Sequence, residues 1–283
     1  MRVGIIGMGA IGSAFAEGLR QITTVRTATR ADVPPLGLAD ADVVLVAVKT
    51  YDTVSALQPL RGILRPNVPI VSLQNGIDQV TQITAALGST RPIMLAPTTE
   101  AAARDASGVI RRTGRGVTTV GWVADRGGDF DLLAFIALLR KAGFETQGAS
   151  PIEPHVWAKL VATAAISPIT ALAGKPNCYV AEHRAASALA VALAREAAAV
   201  AAAEGMTLPF EEAGAHALEV ARVTGANRSS MLQDLERKRP LEIDAINGAI
   251  LRRGRARGIP TPENARIIDE VRRFGAAAVR AAR

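Results

Sequence analysis

The sequence predicts an α/β domain built on a parallel sheet, followed by an all-helical domain, and three observations carry that expectation. Short β-rich runs alternate with helical stretches through the first half of the chain, the pattern of strands joined by helical crossovers. The run Val43–Val48 (VVLVAV) is apolar throughout, as a strand covered on both faces must be. From Pro151 onward one helical segment follows another, separated by stops such as Gly205, Gly225, Pro240 and Gly258-Ile259-Pro260.

Taken in order, Arg2–Ile6 reads as the first strand, Ala10–Arg20 as the helix after it and Thr24–Thr29 as the second strand. Only ten residues, including Pro34-Pro35, separate Arg30 from Ala41, which is too short for a full crossover helix. After VVLVAV come a helix over Thr53–Leu64, a strand at Ile70–Leu73, a helix over Gln79–Leu87 and a strand at Ile93–Ala96. Val109–Arg112 and Val117–Val123 read as a hairpin turning at Thr113–Gly116, and a helix over Asp131–Ala142 and a strand at Phe144–Gln147 complete the unit. The loop-like Gly148-Ala149-Ser150-Pro151 places the boundary between domains 1–149 and 150–283. The second domain is expected to hold helices over 154–172, 180–204, 209–223, 231–238, 241–257 and 263–281.

Composition removes several function classes. At 283 residues, 49% hydrophobic, the chain buries a core without staples, and its single cysteine, Cys178, cannot form an internal disulfide. Three scattered histidines and that cysteine do not make a metal site. The net charge of +7 divides evenly, +3 over residues 1–150 and +4 over 151–283, with no basic tail and no aromatic-basic cluster, so no nucleic-acid partner is expected. Arg195 and Glu196 break the longest alanine-rich stretch, so no membrane span is expected. Met1-Arg2 and Ala14-Phe15-Ala16 imitate a signal peptide, but Gly4, Gly7, Gly9 and Gly12 interrupt the run, and a cytoplasmic protein is the reading.

Those glycines fit a different motif. Gly7-Met8-Gly9-Ala10-Ile11-Gly12 is a G-x-G-x-x-G sequence between a strand and a helix, which makes the first domain Rossmann-type and these six residues a phosphate-binding turn for a dinucleotide. The second strand ends Thr29-Arg30, with arginine where an acid would hold the ribose hydroxyls of NAD. Arg30 suits a 2′-phosphate and hence NADP(H), while Asp32 two residues on leaves NAD open. Lys49 and Asn75-Gly76 stand at the carboxyl ends of strands, where open α/β sheets bind ligands. An ordinary solvated strand end and an ordinary turn explain them equally well.

In the second domain, His155, Lys159, Thr163 and Ser167 recur every four residues along an otherwise apolar helix. A lysine in such surroundings can titrate low and move protons, although an amphipathic helix with a solvated lysine is the simpler account. Pro168 has no N–H and so leaves a carbonyl near Ala164 open to another partner. Ser230 and Gln233 have capping-box spacing, and a capped helix start also suits a carboxylate ligand. Glu242 reads as an acid in the first turn of a helix opened by Pro240.

Together these blocks resemble the ketopantoate reductase (2-dehydropantoate 2-reductase) family. The resemblance runs through GMGAIG at 7–12, VKTYDT at 48–53, SLQNGI at 72–77, VWAKL at 156–160 and PITALAGKPN at 168–177. It continues in SSMLQDLERKRPLEID at 229–244 and INGAILRRGRARGIPTPEN at 246–264. It implies NADPH-dependent reduction of a small anionic 2-oxo acid, ketopantoate, to (R)-pantoate on the route to coenzyme A. It further implies a Rossmann domain joined to a helical domain, with the site in the cleft between them.

Carried onto matching positions, it makes Lys159 the general acid and Glu242 the group that holds the substrate hydroxyl. Ser230 binds the carboxylate, with Asn177 and Asn227 adding polar contacts. Asn75 sits between nicotinamide and substrate, Lys49 contacts cofactor or substrate, and Arg30 takes the 2′-phosphate. Thr163 and Ser167 stand where the family commonly has asparagines, and 31–40 is shorter than usual. A reductase of another 2-oxo acid and a non-catalytic NADP-binding protein are the alternatives. A monomer or a homodimer fits the alanine-rich 185–203 equally.

Overall fold

The computed structural model describes residues 1–280 except Arg30, Val33, Pro34, Ala106 and Asp125, and leaves out the side chains of 276–280. The chain forms two compact units, Met1–Val156 and Trp157–Arg283.

The first unit holds β1 (Arg2–Ile6), α1 (Ala10–Arg20), β2 (Thr24–Ala28), β3 (Val43–Val46), α2 (Thr53–Leu57), β4 (Ile70–Ser72), α3 (Gln79–Leu87), β5 (Ile93–Leu95), β6 (Ala101–Arg104), β7 (Ile110–Gly114), β8 (Val117–Trp122), α4 (Leu132–Lys141) and β9 (Glu145–Gly148). Seven strands make one sheet in the order β2-β1-β3-β4-β5-β8-β9. The first five are parallel, β8 runs antiparallel to β5, and β9 is parallel to β8. The alternation within VVLVAV explains its uniform apolarity. Val44 and Val46 join Leu57, Leu60, Ile70 and Ile83 on one face, while Val43 and Leu45 join Phe15, Leu19, Phe135 and Phe144 on the other. Strand order reverses at β1, whose neighbours are β2 and β3, and ligands of open α/β sheets bind at such a switch point.

Two expectations in this unit are corrected. The β7 and β8 segments do not pair with each other. β7 pairs with β6, a strand not foreseen, while β8 enters the main sheet between β5 and β9. Buried Glu100 explains part of this choice, because Arg112 of β7 holds it through paired contacts at 2.8 and 3.1 Å while stacking on Phe144. The helix expected over Thr53–Leu64 is α only to Leu57, with 3-10 turns at Thr50–Asp52 and Gln58–Leu60, the second opening at Pro59.

In the second unit, α5 (Glu153–Ala173), which starts four residues before the unit's first residue, is followed by α6 (Cys178–Glu182), α7 (Arg184–Ala203), α8 (Ala213–Val223), α9 (Ser230–Glu236), α10 (Asn247–Arg257) and α11 (Pro262–Arg280). The expected helix 180–204 is broken at His183, which leaves the helical region (φ −98°, ψ 117°) and caps α7 by accepting from the Ala186 N–H. The expected helix 241–257 begins only at Asn247, so Glu242 belongs to the preceding turn.

α5 and α7 are each long and apolar enough to cross a membrane by length and composition, against expectation. For α5 burial gives the apolarity a different use, since 78% of its apolar window lies inside the fold, against 39% for α7. On α7 the buried residues are mostly small, Ala186, Ala190, Leu193, Ala194, Ala197, Val200 and Ala201, and α8 packs closely against the helix at Gly214. A side chain added at Gly214 would meet Val191 at 2.8 Å.

Candidate active site

At the end of β1 the chain turns through Gly7 with φ +95°, a conformation that glycine adopts without strain. A Cβ there would also lie 2.5 Å from the Val48 nitrogen, and one at Gly12 would lie 1.9 Å from the Gly7 carbonyl oxygen. These two glycines let β1, α1 and the end of β3 meet. Gly9 differs, because nothing lies within 4 Å of where its Cβ would stand. It is also the N-cap of α1 and offers no side-chain cap, so the first turn of α1 presents its N–H groups beside open space. A pyrophosphate fits that arrangement. Met8 has its carbonyl bound by Ser13 Oγ (3.1 Å), while Ala10 and Ile11 begin the helix.

Lys49 and Asn75 follow β3 and β4 at the same sheet edge as Gly7. A buried amide network not foreseen from the sequence fixes them. Gln74 Nε2 donates to the Val48 carbonyl (3.0 Å) and to Thr53 Oγ1 (2.7 Å), and its Oε1 accepts from Ser72 Oγ (3.1 Å). Gln79 Nε2 then donates to the carbonyls of Gln74, Asn75 and Gly76 at 3.2, 3.0 and 2.7 Å. Gly76 has φ +84°, so the turn reading of Asn75-Gly76 holds, and Gln79 clamps that turn from beneath. The signal available in the sequence was two glutamines flanking Asn-Gly after an apolar strand. Arg104 was likewise missed, and the β6–β7 hairpin carries its guanidinium to 3.5 Å from the Met8 carbonyl. Arg30 lies outside the described residues. Asp32 is engaged locally, its carboxylate accepting from the Thr29 N–H (2.7 Å) and hydroxyl (2.8 Å).

In the helical unit, Lys159 stands in the first half of α5, with half-buried Thr163 one turn on and buried Ser167 two turns on. Enclosure by packed protein pushes the Lys159 pKa down from 10.5 to about 8, partly offset by the negative charge of Glu242. Glu242 is buried, and its carbonyl accepts from the N–H groups of Ala245 and Ile246, which makes its turn compact.

The cap of α9 is Ser229, not Ser230. Ser229 Oγ accepts from the Leu232 N–H (3.1 Å) and from Thr170 Oγ1 of α5 (2.7 Å), while Gln233 reaches the Arg228 carbonyl instead of closing a capping box. Ser230 is therefore the first residue of α9, half-buried, with its hydroxyl spared from the cap. Asn177 and Asn227 are brought together by the Asn177 N–H donating to the Asn227 carbonyl (2.9 Å). Asn177 Nδ2 bonds Thr224 Oγ1 (2.9 Å), and its Oδ1 is buried without a partner.

The family model described as "Ketopantoate reductase PanE/ApbA" matches residues 20–125, and "Ketopantoate reductase PanE/ApbA C terminal" matches 151–274. The 2-dehydropantoate 2-reductase of Escherichia coli O157:H7 is 33% identical over 83% of this chain and 75% of its own length. That of Archaeoglobus fulgidus is 36% identical over 82% and 76%. Among solved structures, a PanE/ApbA family ketopantoate reductase from Ralstonia eutropha JMP134 is similar with a TM-score of 0.85 at 27% identity, covering 98% of this chain and 99% of that one. A Rossmann-type parallel-sheet unit with the glycine turn at Gly7–Gly12, a helical unit carrying VWAKL and the 229–264 blocks, and two matched family models spanning most of the sequence lead to one conclusion: the chain belongs to the ketopantoate reductase family.

Proposed function

We propose that this protein reduces a 2-oxo acid to the 2-hydroxy acid with a nicotinamide dinucleotide, and that the pair is ketopantoate and NADPH. The observation that carries the reading is Lys159, a lysine enclosed beside an acid and titrating near 8, so that it is mostly protonated at neutral pH yet gives up its proton readily. A bound reduced nicotinamide supplies the hydride. Lys159 Nζ donates a proton to the carbonyl oxygen as negative charge builds there, then reloads from solvent. Glu242 holds the substrate hydroxyl and favours the protonated lysine between turnovers. Ser230, at the start of α9, takes the carboxylate, with Asn177 and Asn227 adding polar contacts. Gly7, Gly9 and Gly12 hold the pyrophosphate with the first-turn N–H groups of α1, while Lys49 and Asn75 face the nicotinamide end.

NADP over NAD is supported by Arg30 in the sequence and by Asp32 being engaged with Thr29. Thr163 and Ser167 favour a second reading, reduction of another 2-oxo acid, because a short hydroxyl has neither the reach nor the two donors of an amide. Loss of NADPH absorbance with ketopantoate and a panel of other 2-oxo acids tests both readings. Turnover of ketopantoate ahead of the panel, lost in Lys159→Ala, is expected, and no turnover of any acid above that control rejects the enzyme reading.

A further inference from the structure

We infer that Asn247 is a positioning residue whose side-chain amide ties the helix carrying Lys159 to the turn carrying Glu242, and so sets how the two charges stand to each other. The inference rests on the reading of Lys159 as the proton donor, but its geometry is independent of that reading. Pro168 brings no N–H to α5, so the Ala164 carbonyl lacks its helical donor, and Asn247 Nδ2 supplies one at 3.0 Å. Ala164 lies five residues past Lys159, about 7.5 Å along the helix axis. On the other side, Asn247 is the first residue of α10, directly after the turn of Glu242. That turn is closed by the Glu242 carbonyl accepting from Ala245 and Ile246 and by the Ile243 carbonyl accepting from Gly248 (2.9 Å). A short rigid path therefore joins Lys159, Ala164, Asn247 and Glu242.

The amide has no freedom to drift. Asn247 is fully buried, and its Nδ2 also donates to Asn264 Oδ1 (2.9 Å). Asn264 in turn donates to Glu196 of α7 (2.8 Å), which also caps the Glu263 and Asn264 N–H groups. The Asn247 amide of α10 thus meets α5 and α11 directly, and α7 through Asn264. Its Oδ1 is buried without a partner, while its Nδ2 serves two buried acceptors. The charged group acting on Lys159 is Glu242. The titratable neighbours are His155 one turn earlier on α5 and His216 of α8, which lies against the Ala158 carbonyl.

The experiment is a pH titration of Lys159 by NMR in protein carrying labelled lysine, without substrate. The chain has five lysines, and Lys159→Arg assigns the signal. Asn247→Ala is expected to lower the Lys159 midpoint by about one unit, as the turn of Glu242 loses its hold and the acid offsets burial less; loosened packing that only admitted water would raise it. Pro168→Ala restores the backbone donor to Ala164. In the double variant, thermal stability is expected to recover in part while the Lys159 midpoint stays lowered. An unchanged or raised midpoint in Asn247→Ala, or a lowered one that returns together with stability in the double variant, overturns the inference, since the amide would then only satisfy a carbonyl. If Asn247→Ala does not fold, Asn247→Ser, which keeps polarity but not reach, carries the same expectation. Because no substrate is present, absence of 2-oxo acid turnover would defeat the functional proposal and leave this result standing.

Discussion

Lys159 is costly to the fold in its charged form. Its ammonium gives up hydration on burial, and the attraction of Glu242 returns only part of it, so the folded-state pKa of about 8 lies below the ordinary 10.5. Folding therefore favours the neutral lysine. Below pH 8 the full cost is present. Between pH 8 and 10.5 the unfolded chain holds more protons than the folded one, so this group's contribution to stability rises with pH across that window. Lys159→Met is expected to stabilise the protein at pH 7 by ~1–3 kcal/mol, a gain that vanishes above about pH 10.5, as read by urea denaturation at both pH values. A reductive rate that depends on the protonated lysine falls as pH climbs through about 8. The apolar surroundings of VWAKL allow a depressed pKa, but the acid that acts on Lys159 is not visible there. The four-residue spacing placed Lys159 on a polar line, but 83 residues separate it from the acid that acts on it.

At the level of elements, local pattern located most strands and helices, and failed where pairing was decided by distant side chains. Arg2–Ile6 and Ala10–Arg20 fall where periodicity puts them, because an apolar run and a G-x-G-x-x-G turn leave few alternatives. β7 and β8 have hairpin spacing, yet β7 turns to β6, where its Arg112 meets the buried Glu100. Arg112→Met leaves that carboxylate buried and unpaired, and is expected to cost about 3–5 kcal/mol, most of it recovered when Glu100→Gln is added. Equilibrium denaturation of the two single variants and the double checks this. Ser229 and Ser230 make the same point within one turn. Either fits a cap by sequence, and Thr170, brought from α5, selects Ser229.

For the molecule as a whole, the excess of positive charge is dispersed. Arg253 pairs with Glu204 and Arg266 with Glu263 and Glu270, while Arg252, Arg255 and Arg257 lie exposed on one helix, so the basic run is a solvated face with local partners. On the proposed function, a nucleotide seated in the open space at Gly9 stabilises the first unit. Saturating NADP at about a hundred times its dissociation constant is expected to add roughly 2.7 kcal/mol, with NAD at the same concentration adding less. Thermal melts with each nucleotide measure this, and equal shifts would remove the preference for the 2′-phosphate.

The sequence by itself carried the alternation of most strands and helices, the glycine turn after β1 and the family, and it singled out Lys159, because each is written in contiguous residues whose spacing matches a backbone period or a turn. Even the carbonyl left open by Pro168 was legible, since the missing N–H belongs to proline wherever it stands. What only the tertiary structure decided is which distant groups answer these local demands. Asn247 takes the Ala164 carbonyl, Gln79 clamps the Asn75 turn, Arg112 claims Glu100, and Glu242 acts on Lys159. Hydrogen bonds and charges act over a few ångströms, and only packing brings residues far apart in sequence within that range.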